Sequence, residues 1–157
     1  AHPWSLTLME AANARSQTRK PGSARGNAKA PTVFVIRYRD GLEAAVFLLN
    51  GHIEDFNFAA SLEGRAEPVS TLMWLQPVRY YSHFATLTHY VEELILQKQE
   101  PYPVERTLLT TGILAAAMDS AFQKGAVLET PHLDVHYRAP RESLYNRGPV
   151  PEPEADA

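Results

Sequence analysis

The stretch ETPHLDVHY, residues 129–137, sets His132, Asp134 and His136 on alternate positions between apolar neighbours. Imidazole and carboxylate groups are metal ligands and proton carriers, so this triplet could hold a zinc ion or relay a proton. Spacing decides between the two. On a helix, histidines four residues apart share a face and can grip one ion. Pro131 and the alternation of Leu133, Val135 and Tyr137 predict a strand instead, which puts His132 and His136 about 13 Å apart, too far to chelate together. A metal-dependent enzyme built here would use one of these histidines and draw its other ligands from elsewhere.

Two further groupings could carry chemistry. His89 and Glu93 stand at helical i,i+4 spacing, which favours a surface pair worth a few tenths of a kcal/mol, roughly, over a catalytic dyad. QPVRYYSH, residues 76–83, gathers Arg79, Tyr80, Tyr81 and His83 after a strand, a composition that marks partner contacts as well as ligand sites. No G-x-G-x-x-G follows a strand, and there is no phosphate loop and no G-x-S-x-G elbow. No nucleophile, base and oxyanion donor fall into one recognisable arrangement.

The elements that must position these residues are an ordinary globular set. In 157 residues, a hydrophobic content of 45% and a charged content of 21% are those of a globular domain. A formal net charge of -3 argues against nucleic acid as the main partner. The absence of cysteine excludes disulfides, thiolate catalysis and Cys-type zinc sites. No apolar run reaches the roughly 18 residues of a membrane span, and the N-terminal residues lack the pattern of a secretory signal. A cytoplasmic location is the expectation. The chain starts at Ala1, so an excised or truncated piece of a longer protein is expected.

Residues 1–30 are basic and are expected to form a short helix, with Ser5 as its cap and Leu6, Leu8, Met9 and Ala12 as its apolar side. A mobile linker follows it, because SQTRKPGSARGNAKAP has no hydrophobic periodicity. Residues 31–139 read as the folded unit, and residues 140–157, rich in proline and acid, as a disordered tail. Asp40-Gly41 sits between two apolar runs and predicts a hairpin of strands Thr32–Tyr38 and Leu42–Leu49, with Asn50-Gly51 making a further turn. HIEDFNFAASLEG and VSTLMWLQP give a third and fourth strand, so the four predict a largely antiparallel meander. Both faces of the first hairpin are apolar, Val33 and Val35 on one and Phe34 and Ile36 on the other, so both need cover. Residues 83–97 carry the stripe Phe84, Leu87, Val91 and Leu94, and residues 103–124 a small-residue face of Leu109, Gly112, Ile113, Ala116 and Ser120. Both predict helices. Strands first and helices after them give an α+β fold, an open antiparallel sheet with helices packed on one face.

YRDGLEAAVFLLNG, EPYPVERTLLTTGILAAAMDSAFQKGAVLETPHL and the strand-rich segment between them resemble the C-terminal domain of the glucose-fructose oxidoreductase and inositol dehydrogenase (Gfo/Idh/MocA) family, over roughly residues 31–138. Ser120, Gly125 and AVLETP echo the way the family's long late helix runs into its last strand. The resemblance implies a second, Rossmann domain that binds NAD or NADP in the parent protein, and a sugar- or polyol-like substrate oxidised by hydride transfer. The family's dinucleotide fingerprint, its Glu-Lys-Pro lysine and its Asp-x-x-x-His element have no counterpart here. No catalytic, cofactor-binding or metal residue is therefore carried over, and the isolated chain is expected to be silent. It would supply a substrate-site wall, with Arg37, Asn57, Tyr81 and His83 the residues expected to meet a ligand, and a homo-oligomer interface through the open sheet face. The alternative is a free-standing dimerisation or partner-binding module of the same fold.

Overall fold

The computed structural model describes residues 3–75 and 83–139. The chain divides after Leu75 into two compact units, and each is described by itself.

The first unit opens with helix α1 (Pro3–Asn13) and a single turn, α2 (Ala24–Asn27). Strands β1 (Thr32–Arg37) and β2 (Glu43–Leu48) follow, and then β3 (Phe56–Ala60) and β4 (Val69–Met73). The fold is α+β with antiparallel, open sheets, as the patterning predicts. The hairpin loop closes where Tyr38 N–H donates to the Leu42 carbonyl at 2.8 Å, so Asp40-Gly41 is part of a three-residue loop. Inside it the Asp40 carboxylate accepts the Leu42 N–H at 3.0 Å.

The expected four-stranded meander is corrected to two separate two-stranded sheets, β1–β2 and β3–β4. The reason lies in the link between β2 and β3. Its backbone groups bond to residues 18–29: the His52 carbonyl accepts the Lys20 N–H at 2.9 Å, and the Asn50 carbonyl the Lys29 N–H at 2.8 Å. A strand pairs only with backbone groups left free, and these are committed elsewhere. Asn50-Gly51 does turn the chain, with His52 N–H donating to the Leu49 carbonyl at 2.9 Å. Gly51 is required there twice over, by its φ of +93° and because a Cβ would stand 3.0 Å from the Asn27 carbonyl oxygen.

Helix α1 lies against β2, β3 and β4. Ser5 does not cap it: the helix begins at Pro3, and Ser5 is buried within the first turn. The side of β3 that is half-buried carries Asn57, while Phe56 and Phe58 are exposed. With Phe56 opposite Met73 in the register, an uncharged apolar row faces outward. On the first sheet Val33 and Val35 are exposed on one side, and Val46 and Leu48 on the other. Apolar residues face out on both sheets, and the buried polar residues Ser5, Asn13 and His52 all lie in this unit.

The second unit holds α3 (His83–Gln97), α4 (Val104–Phe122) and a 3-10 turn at Pro131–Leu133. The helix bounds follow local chemistry. Lys98 takes a left-handed φ of 52° just past α3. Pro103 precedes α4 with Glu105 in its first turn, where a carboxylate suits the helix dipole. The end of α4 is a Schellman motif, with Gly125 N–H on the Ser120 carbonyl at 2.7 Å and Lys124 N–H on the Ala121 carbonyl at 3.0 Å. The Ser120 hydroxyl adds a bond to the Ala126 carbonyl at 2.7 Å. Between the helices Tyr90 meets Tyr102 edge-on, and the Arg106 guanidinium lies 4.4 Å from the Tyr102 ring centre.

The expected terminal strand at 129–137 is corrected to a tight reversal. Pro131 has a fixed φ and no N–H to give a sheet. The Leu133 N–H returns to the Thr130 carbonyl at 2.9 Å, and the Val135 N–H to the Leu133 carbonyl at 2.8 Å. Asp134, at φ -73° and ψ 69°, is the centre of an inverse γ-turn. The reversal sends Leu133 inward onto α4, and among the described residues it is the buried hydrophobic one. The small-residue face of α4 thus receives a side chain: a Cβ at Gly112 would collide with Leu133 Cδ2 and stand 3.0 Å from Cδ1.

Gly112→Ala sets a gain in helix propensity of about 1 kcal/mol against overpacking of about 1–3 kcal/mol. The expected result is a net loss of up to about 2 kcal/mol, read as a lowered Tm. A Tm unchanged or raised would show that Leu133 does not depend on this notch.

Candidate functional site

The densest set of interacting polar side chains in the first unit lies where residues 16–29 meet residues 49–57. Asp55 Oδ2 accepts the N–H groups of Gln17 at 2.7 Å and Thr18 at 3.3 Å, and Oδ1 accepts from the Asn57 amide at 2.6 Å. The bonding is returned. Thr18 Oγ1 accepts the N–H groups of Glu54 at 2.9 Å and Asp55 at 3.1 Å. Partial burial works against the ionised carboxylate, but bonds from Asn57, Ser16, Gln17 and Thr18 together outweigh it and hold Asp55 below the usual carboxylate range.

At the other end of the segment Ser23 caps α2, its hydroxyl accepting the Gly26 N–H at 3.1 Å. The Asn27 amide nitrogen donates to the Pro21 carbonyl at 2.8 Å and to His52 Nδ1 at 3.0 Å. An amide nitrogen only donates, so Nδ1 is an acceptor and the ring proton sits on Nε2. His52 is wholly buried, and its Nε2 has no hydrogen-bond partner among the described residues. Asn13 Nδ2 and Asn57 Oδ1 are in the same condition. The segment expected as a mobile linker is held here as a strap against residues 49–57. It lacks hydrophobic periodicity because side-chain-to-backbone bonds, rather than an apolar stripe, hold it down.

The strap also forms one wall of a cavity of about 210 Å³. Leu6 and Met9 of α1, Val33 and Phe47 of the first sheet, and Ala24 and Arg25 of the strap line it. Its walls are mostly hydrocarbon; the polar residues among them are the exposed Arg25 and Thr32, whose hydroxyl donates to the Ala30 carbonyl at 3.3 Å.

The residues expected to meet a ligand are dispersed. Arg37 faces Glu43 across the hairpin with Nε 3.3 Å from Oε1, a pair both of whose members are exposed, and contacts of that kind contribute about 0–1 kcal/mol. Asn57 stands on the other sheet, donating to Asp55. Tyr81 lies outside the described residues, and His83 is the first residue of α3. His89 Nδ1 is 3.7 Å from Glu92 Oε2 and its Nε2 3.9 Å from Glu93 Oε1, at surface positions. His136 Nε2 is 3.4 Å from Asp134 Oδ1, with the histidine 88% exposed, so solvent takes the place of a binding pocket around it. Among the described residues no three His, Asp or Glu side chains converge as a metal site would require.

Thr18, Arg25, Asn27, His52 and Asp55 are not among the residues that sequence patterning singles out. The signal available was the density of Ser, Thr and Asn from Ser16 to Asn27, residue types that bond to nearby backbone. Four donors hold the oxygens of Asp55, so the cluster positions the strap. Among family models, curated proteins and solved structures, none matches this chain.

Asp55 sets a pH dependence whose sign is fixed. Its folded pKa lies below the unfolded one, so its contribution is complete above the ordinary value of about 3.9 and is lost as pH falls through the lower folded value. The amide proton shifts of Gln17 and Thr18 are expected to titrate with a midpoint below about 3.9, and Asp55→Asn to abolish that step. A midpoint at or above the ordinary value would contradict the clamp.

Proposed function

We propose that this chain is the non-catalytic C-terminal domain of an NAD(P)-dependent oxidoreductase of the Gfo/Idh/MocA type, acting by association. In this reading it supplies a wall of a sugar- or polyol-like substrate's site and an oligomer interface. A Rossmann domain of the parent supplies NAD or NADP. One observation supports it most: both two-stranded sheets turn apolar residues outward, Val35, Val46 and Leu48 on one and Phe56, Phe58 and Met73 on the other. Rows of this kind on a functioning protein are surfaces meant to be covered. The resemblance in sequence supplies the chemistry of the parent, and the α+β architecture with open antiparallel sheets is in keeping with it.

The same rows equally favour a free-standing association module. The coding sequence upstream of Ala1 separates the two: an in-frame Rossmann domain eliminates the free-standing module, and an immediate start codon eliminates the fragment.

The chain is expected to run as a homo-oligomer in light scattering at high micromolar concentration, and Phe58→Lys to shift it toward the monomer. A wild-type monomer under those conditions would contradict association through the sheets. Titration with NADH and NADPH is expected to give no saturable fluorescence change. Binding or turnover by this chain alone would overturn its silence.

A further inference from the structure

We propose that the cavity between α1, the strap and the β1–β2 sheet binds a small carboxylic acid whose body is a single ring or a branched alkyl group. The proposal stands independently of the oxidoreductase reading. Size comes first. A closed hydrocarbon-lined cavity of about 150 Å³ takes up benzene; this one, about 210 Å³ and open to solvent on one side, has room for a single ring. Leu6, Met9, Val33 and Phe47 give that body aliphatic and aromatic surface, and none of them offers a hydrogen bond.

Charge then selects the head group. Arg25 lines the same cavity and has no ion-pair partner among the described residues. The strap from Ser16 to Pro31 contains no carboxylate, and besides Arg25 it carries Lys20, Lys29 and Arg19, the last paired with Glu10. A guanidinium beside apolar walls matches a planar carboxylate through two parallel N–H donors. One cation balances one negative charge, and the other polar group of the lining, the Thr32 hydroxyl, already donates to the Ala30 carbonyl. The site is also built before a ligand arrives. Asp55 holds the strap through Gln17 and Thr18, and Asn50 holds it through Lys29, so the wall carrying Arg25 need not be ordered on binding.

The test is a titration of the full chain with phenylacetate, followed by amide and methyl NMR shifts, with toluene and inorganic phosphate as parallel probes. Phenylacetate is expected to give saturable shifts on α1, the strap and the residues around Val33 and Phe47. Toluene is expected to bind more weakly and phosphate not to saturate. Arg25→Gln, at an exposed position, should weaken phenylacetate about tenfold or more while leaving toluene unchanged. Val33→Phe should fill the cavity and abolish both. No saturable shift with phenylacetate overturns the proposal. Equal affinity for toluene and phenylacetate, indifference to Arg25→Gln, or saturation by phosphate alone overturns it as well.

Discussion

A carboxylate that takes the N–H groups of Gln17 and Thr18, answered by a hydroxyl that takes those of Glu54 and Asp55, ties together two segments with no apolar stripe in common. Much of the first unit follows from that exchange. It commits the link between β2 and β3 to the strap, so β3 pairs forward with β4 and not back with β2. It fixes the end of α1, whose last turn leads into Ser16 and whose follower Arg15 donates from Nε to the Ser70 hydroxyl at 2.9 Å. It also stands the strap up as a cavity wall. Charge-assisted bonds to a carboxylate are about twice as strong as neutral ones, which suits a segment that has little hydrophobic area to contribute.

Among the described residues of the first unit, buried polar and exposed apolar side chains occur together. Helix α1 brings Ser5 and Asn13 into the interior, and β3 turns Asn57 partly inward while Phe56 and Phe58 stay outside. Buried polar atoms without partners among the described residues, such as Asn13 Nδ2 and His52 Nε2, cost about 1–3 kcal/mol each. Hydrocarbon left in water returns nothing to offset that. In the association proposed above, the outward rows would complete a core with another polypeptide, and the apolar burial would be realised on assembly. The second unit shows the same economy, with Leu133 on Gly112 as its buried apolar contact and the stripe Phe84, Leu87, Val91 and Leu94 of α3 exposed.

Legibility in the sequence tracked the kind of force involved. The first hairpin could be read because alternation and Asp40-Gly41 are local signals, and α4 because Pro103, Glu105 and Lys124-Gly125 bracket it. The strap could not, since one-to-one bonds between Thr18, Asn27, His52 and Asp55 leave no period in the chain. ETPHLDVHY misled for a related reason: alternation is necessary for a strand, but Pro131 removes a donor and the γ-turn at Asp134 spends the next carbonyl locally. Of the residues read as ligand contacts, Asn57 lies in the polar cluster as a support for Asp55, whereas Arg37 is engaged with Glu43. The cavity escaped notice because its walls come from three elements whose proximity depends on the strap.

The position of Leu133 along the chain bears on the order in which the second unit is made. Helix α4 is complete before the residue that fills its notch has been synthesised, and nothing earlier in that unit supplies an equivalent buried side chain among the described residues. The strap of the first unit waits in the same way for residues 50–55. Each unit is therefore closed by a segment that arrives after the surface it locks, so a ribosome-bound chain carries open surfaces through much of its synthesis. Pauses placed before either closing segment would lengthen that exposure, and pauses placed after them would not.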